Sequence, residues 1–190
     1  MKLYYSPGAC SLSPHIVLHE AGLAYEPVLA SPKRRQAQDG TDYYGSTRLG
    51  YFSLRARRRR HGMKDRPSSQ SLAKPGVAKT SRTELQKGFG PLLKPATPGT
   101  TKNPVVRQRV LVRLKWVDGE LNGADYLMGE QFTVADAYLF TVTGWAPFVG
   151  VDISELTNLL AYREGRAGPG ALRRAPVGDG PHAAAVMRFG

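Results

Sequence analysis

MKLYYSPGACSLSPHIVLHEAGL, residues 1–23, followed by Tyr25-Glu26-Pro27-Val28-Leu29, carries the pattern on which the fold turns. Residues 2–5 alternate poorly but are β-rich, and Ser6-Pro7-Gly8 stops them, so they read as a short strand. Residues 11–23 then read as a helix. Pro14 suits a first-turn position, Ile16, Val17, Leu18 and Ala21 make its apolar face, and Gly22 supplies the stop. Tyr25 to Leu29 reads as a second strand, ended by Ser31-Pro32. A strand, a helix and a strand within thirty residues predict a βαβ unit, with Pro7-Gly8-Ala9-Cys10 at the carboxyl end of its first strand.

Outward from this unit the period fails between about Gly45 and Lys79, where arginine interrupts scattered apolar residues. Helical spacing returns from Glu84. Val105, Val106, Arg109, Val110, Val112, Arg113, Leu114, Trp116 and Leu121 carry an amphipathic helix starting after Pro104. Asp125 to Gly129 reads as a turn. Thr133-Val134-Ala135-Asp136 is a capping-box pattern opening a nearly all-apolar helix that runs to Trp145. Asp152 to Tyr162 predicts a last helix, and Gly, Pro, Ala and Arg without period fill the rest. The expected architecture is a small α/β unit over 1–75, an all-helical unit over 81–164, and an irregular tail over 165–190.

A chain of 190 residues with 41% hydrophobic residues can bury a core without disulfides. No apolar run approaches a membrane span, and residues 1–5 are no secretory leader. One cysteine, Cys10, excludes an intramolecular disulfide and every multi-cysteine metal site, and fits a reducing cytoplasm. His15, His19, His61 and His182 show no metal-ligand spacing. The net charge of +12 sits mostly in two places, because residues 48–66 and 163–190 carry ten of those charges. Arg57 to Arg60 have neither aromatic interleaving nor helical or strand period, so they read as a solvated loop in preference to a nucleic-acid surface. Cys10 is either a buried small hydrophobe or a reactive thiol; a following helix N-terminus would lower a cysteine pKa, but one Cys near one Pro leaves both readings open. Trp116, Tyr138, Phe140 and Trp145 read as helical core, with Trp145 and Phe148 also placed to border an apolar pocket.

Residues 1–23, TELQKGFGPLLKPATP at 83–98, and GEQFTVADAYLFTVTGWAPFVGVDISELTNLLAYRE at 129–164 together resemble the beta-class (bacterial) glutathione transferases. The resemblance implies a thioredoxin-like α/β domain followed by an all-α domain, a homodimer, and no cofactor beyond glutathione as cosubstrate with a small hydrophobic electrophile. It implies that Cys10 contacts the glutathione sulfur, so that the chain conjugates glutathione to electrophiles or reduces mixed disulfides. Catalytic roles fall on Cys10 and Gln86. Glutathione contacts fall on Ala9, Cys10, Ser11, Arg35, Phe52, Asp65, Thr83, Glu84, Gln86 and Lys87. Gln86 stands where the family has histidine; it can donate to a sulfur but cannot exchange protons near neutral pH. Thr47-Arg48-Leu49-Gly50-Tyr51-Phe52-Ser53-Leu54 has no proline where the family carries its cis-proline loop, and Arg66-Pro67-Ser68-Ser69 follows Asp65 where an apolar helix start belongs. The rival implied is a non-catalytic, thiol-bearing or ligand-binding relic of the family.

Residues 45–69 are thus divergent or frame-shifted, and the tail after 164 is divergent in the same way. The family's Leu-Asp-Asp-Gly-Asp-Met turn, written in GC-rich codons and read one base early, yields the run from Ala56 to His61. Translating the encoding DNA in all three frames is expected to restore apolar strands and a helix over this stretch. Three frames without such a pattern would dismiss the explanation.

Overall fold

Leu3, Tyr4 and Tyr5 are buried in succession, which places their strand inside the molecule with both faces covered. The computed structural model describes residues 2–6, 8–31, 36–40, 42, 54–55, 84–93, 103–127 and 132–164. Strand β1 (Lys2–Tyr5) leads into helix α1 (Leu12–Glu20) and strand β2 (Glu26–Ser31). β1 and β2 are parallel, with Tyr4 opposite Val28, which is the expected βαβ unit. Two short antiparallel strands complete the sheet: β3 (Gln36–Ala37) beside β2, and β4 (Leu54–Arg55) beside β1. The order is β3-β2-β1-β4. β4 lies in the stretch without period; two residues are too short to show one.

α1 is shorter than expected and buries only part of the expected face, with Ser13 and His15 beside it. Ser13, His15, Ile16 and Leu18 are buried, whereas Ala21 is exposed. Gly22, at φ 61°, takes the left-handed conformation that ends the helix.

The helical unit follows. α2 (Gln86–Leu93), α3 (Pro104–Glu120), α4 (Val134–Thr143) and α5 (Thr157–Glu164) are joined in part by a 3₁₀ turn at Pro147–Val149. α3 begins where Asn103 Oδ1 accepts from the amides of Val105 (2.9 Å) and Val106 (3.4 Å), with Pro104 at the first position. A side chain at Gly88 would meet Val110 Cγ2 at 3.2 Å, so glycine there lets α2 lie close against α3. Eighteen buried side chains form the main core of this unit, against four in the cluster of Tyr4, Val28, Ala30 and Ala37 on the sheet. Among the described residues, most apolar burial is therefore helical. Trp116, expected in this core, is 40% exposed; Val117 turns inward in its place, and Leu121 is buried as expected.

Asp136 organises the helical unit. It is fully buried, and its carboxylate accepts from the amides of Leu127 (2.7 Å) and Thr133 (2.8 Å) and from the hydroxyls of Thr133 (2.7 Å) and Tyr162 (2.9 Å). The capping box read from the sequence is present at the start of α4. Burial, with the Asp136 carboxylate beside it, pushes the Tyr162 phenol well above its usual range.

α5 starts five residues later than expected. Asp152 Oδ1 accepts from the Ser154 amide at 2.9 Å, a local turn that competes with helix. Asp118 of α3 supplies an N-terminal acceptor for α5, taking the Leu159 amide at 2.8 Å. The expected tail at 165–190 and the basic run from Arg57 to Arg60 lie outside the described residues.

Replacing Asp136 with alanine leaves buried donors from three segments without their acceptor. The expected loss of stability is about 3–5 kcal/mol by denaturant unfolding. A loss below about 1 kcal/mol would remove the central role given to this carboxylate.

Candidate active site at the first strand-to-helix turn

The turn after β1 is built by its own backbone. The Ala9 amide donates to the Ser6 carbonyl (3.1 Å), the Leu12 amide to the Ala9 carbonyl (3.2 Å), and the Ser13 amide to the Cys10 carbonyl (3.2 Å). Gly8, at φ 72°, makes the left-handed step that reverses the chain. Ser11, nearly fully buried, closes the loop: its hydroxyl accepts from the Ser6 amide (3.2 Å) and donates to the Ser6 carbonyl (3.3 Å). The Ser11 side chain thus makes no cap for α1 and is committed to the turn.

Cys10 is half-buried in this turn and leans on the helical core. It sits two residues before the first residue of α1, at the positive end of the helix dipole. The turn is fastened to the helical unit by Trp145, whose indole Nε1 donates to the Gly8 carbonyl at 3.0 Å. Ile16 of α1 packs on Ala137 and Phe140 of α4, making a second joint. Gly8, Ala9, Leu12, Thr141, Trp145 and Arg163 line a small crevice at this junction. Trp145 accordingly borders an apolar hollow, while Phe148 points largely to solvent at 57% exposure.

Arg163 closes one end of the crevice. Its Nη1 donates to the Phe140 carbonyl and to Thr143 Oγ1, both at 2.8 Å, and its guanidinium lies 4.5 Å from the Phe140 ring centroid. A cation on a late α4 carbonyl complements that end of the helix. Burial pulls its pKa down to about 10.

The helical residues expected at the site come from the start of α2. Gln86 is half-buried, and its Oε1 accepts from the hydroxyl of Tyr138 on α4. Glu84 is more exposed and pairs with Arg113 Nε of α3 at 2.6 Å. Lys87 is exposed. Phe89, one turn along α2, meets Trp145 edge to face with centroids 5.9 Å apart. Trp145 therefore touches both the α2 helix and the turn that holds Cys10. Arg35, Phe52, Asp65 and Thr83 lie outside the described residues. Reading Tyr138 and Trp145 as core alone missed their polar ends; a buried Tyr or Trp normally finds a hydrogen-bond partner, and that was the available signal.

The parallel strand pair with its following antiparallel strand, the thiol at the end of β1, and a helical unit packed against that end define a thioredoxin-like domain joined to a helical one. The family model described as glutathione S-transferase, C-terminal domain, matches residues 81–165. Glutathione S-transferase GstA of Escherichia coli O157:H7 is 33% identical over 186 residues, covering 86% of this chain and 91% of the relative. Among solved structures, the ternary complex of BphK, a bacterial GST, is 35% identical with a TM-score of 0.73, covering 91% of this chain and 98% of that one. The beta-class glutathione S-transferase of Sphingomonas chungbukensis is 27% identical with a TM-score of 0.73, covering 100% and 99%. The chain belongs to the glutathione S-transferase family.

α1 carries a titratable group in its packed face. His15 is buried, its ring edge to face with Tyr25 at 5.2 Å, and burial, with His19 adding to it, holds its pKa below the usual value. The unfolded chain takes up this proton near pH 6.5 while the folded chain does not, so the contribution is full above about pH 6.5 and is lost as pH falls toward the folded pKa. Urea midpoints measured from about pH 7 to pH 5 are expected to fall more steeply for the wild type than for His15→Gln. Equal slopes would free His15 of this part.

Proposed function

We propose that this glutathione S-transferase uses Cys10 as its sulfur-side residue, with glutathione as cosubstrate and a small hydrophobic electrophile as second substrate. What supports the reading above all is the place of Cys10: half-buried, just ahead of α1, and against the helical unit. In conjugation the site holds glutathione as thiolate for attack on the electrophile. In the disulfide reaction the Cys10 thiolate attacks a sulfur of a glutathione mixed disulfide. One S–S bond breaks, a new one forms to Cys10, and the departing thiolate takes a proton; a second glutathione then releases Cys10 as thiol.

Ala9, Cys10 and Ser11 form the turn that faces the cosubstrate, Ser11 by bracing it. Gln86 serves as a neutral donor toward sulfur, and Lys87 and Thr83 extend the helical side. Glu84 contributes while paired with Arg113. Arg35 stands for a family lysine near the glycine carboxylate, and Phe52 and Asp65 for the loop and turn that hold the peptide and its γ-glutamyl end. We assign the units to 1–75 and 81–164, place the protein in the cytoplasm, and expect a homodimer. No helix among the described residues is long and apolar enough to cross a membrane.

Activity is expected to be impaired. The residues at 47–54 and after Asp65 differ from those that bond the cosubstrate in the family. Two or three lost bonds, some to charged groups, cost roughly 1.5–3 kcal/mol each. Two at the lower end make about 3 kcal/mol, more than a hundredfold in affinity. Calorimetric titration is therefore expected to give a glutathione Kd near millimolar or weaker, with Cys10 still reacting with glutathione disulfide and Cys10→Ala silent. Conjugation of a generic aromatic electrophile at a rate comparable to an intact bacterial relative would overturn the impairment. No detectable binding, with no mixed disulfide formed at Cys10, would favour the non-catalytic relic.

A further inference from the structure

The hydrogen bond from Tyr138 to Gln86 crosses between α4 and α2 and leaves one end of the glutamine defined. A carboxamide has an acceptor end and a two-proton donor end, and can exchange them by rotating. Tyr138 donates to Oε1, so the NH₂ end is turned away from the phenol. The neighbouring rung shows which side of the helices this is. Phe89, three residues beyond Gln86, meets Trp145, seven residues beyond Tyr138, and Trp145 donates to the Gly8 carbonyl of the Cys10 turn. Phe89 shares the face of α2 that carries Gln86, three residues away, and Trp145 lies two residues past the end of α4. The Gln86–Tyr138 bond and the Phe89–Trp145 contact therefore both tie α2 to the α4 segment, the second at the residue that reaches the Cys10 turn. Tyr138 and Cys10 both pack on the helical core that these rungs cross.

We propose that Tyr138 is a positioning residue, which holds the Gln86 carboxamide with its NH₂ directed to the sulfur at the Cys10 turn. The inference rests on the reading of Gln86 as a sulfur-side donor. A phenol and a carboxamide both keep their charge state between about pH 6 and 8, so the donor does not titrate there as an imidazole does. The chain thereby has a thiolate-stabilising group whose strength is constant with pH and depends on a single hydroxyl.

The test reads the pH midpoint of Cys10 alkylation in ligand-free protein, for the wild type, Tyr138→Phe, Gln86→Leu and the double variant. Loss of one donor to a thiolate is expected to raise the midpoint by about half a unit in either single variant. The double variant is expected to match Gln86→Leu alone, because Tyr138 acts through Gln86. Gln86→Glu keeps an acceptor for Tyr138, and hence the strut between helices, while turning a negative charge toward the sulfur; its midpoint is expected to rise further. This variant decides the matter where Tyr138→Phe fails to fold. Unmoved midpoints in Gln86→Glu, or a Tyr138→Phe variant that melts earlier with an unchanged midpoint, reduce Tyr138 to a strut and overturn the proposal. Glutathione calorimetry and mixed-disulfide formation on the wild type are read separately: absence of both defeats the functional reading, while the Cys10 midpoints still decide the role of Tyr138.

Discussion

A buried carboxylate that accepts four hydrogen bonds is the constraint on which the described structure hangs. Asp136 fixes the start of α4, the segment before it through Leu127, and α5 through Tyr162. Desolvating a carboxylate is costly, and only a complete set of donors offsets it. Once α4 is set, the rest is placed along its length. Tyr138 reaches α2, Ala137 and Phe140 receive α1, and Trp145, just past its end, reaches the turn that holds Cys10. The turn that holds Cys10 is therefore positioned by a helix of the other unit as much as by the strand that precedes it.

This division explains how the two units can differ so much in the clarity of their sequences. The helical unit closes its core with side chains from 85 to 162. It draws on the α/β unit through the contacts of α1 and of the Gly8 carbonyl, encoded within residues 8–17. Divergence over 45–69 leaves those contacts untouched.

Much of the fold was legible because its punctuation is local. Pro and Gly around residues 7, 8, 14 and 22 bound the first strand and helix, and Thr133 with Asp136 announce α4 from three residues apart. Partner-dependent features were not legible. The buried side of α3 includes Val117 and leaves Val105, Val112 and Trp116 outward, a choice made by the neighbouring helices. The start of α5 depends on Asp118, about forty residues earlier in the chain, so no window around 152–157 could have located it. The turn that holds Cys10 was legible from its Pro and Gly spacing, whereas the roles expected of Cys10 and Gln86 came through resemblance. Tyr138 was not legible, since a tyrosine within an apolar helix reads as core until its hydroxyl is given a partner across the helices.

Trp145 has an optical consequence. The chain has two tryptophans, one 40% exposed on α3 and one 7% exposed with its N–H on the Gly8 carbonyl. Their indoles sit in different dielectric surroundings, so their emission separates into a solvent-relaxed component from Trp116 and an apolar one from Trp145. The second indole is anchored across the seam between the units. Any event that parts the β1–α1 turn from the end of α4 changes that component and spares the other, which gives the molecule a built-in gauge of its own interdomain closure.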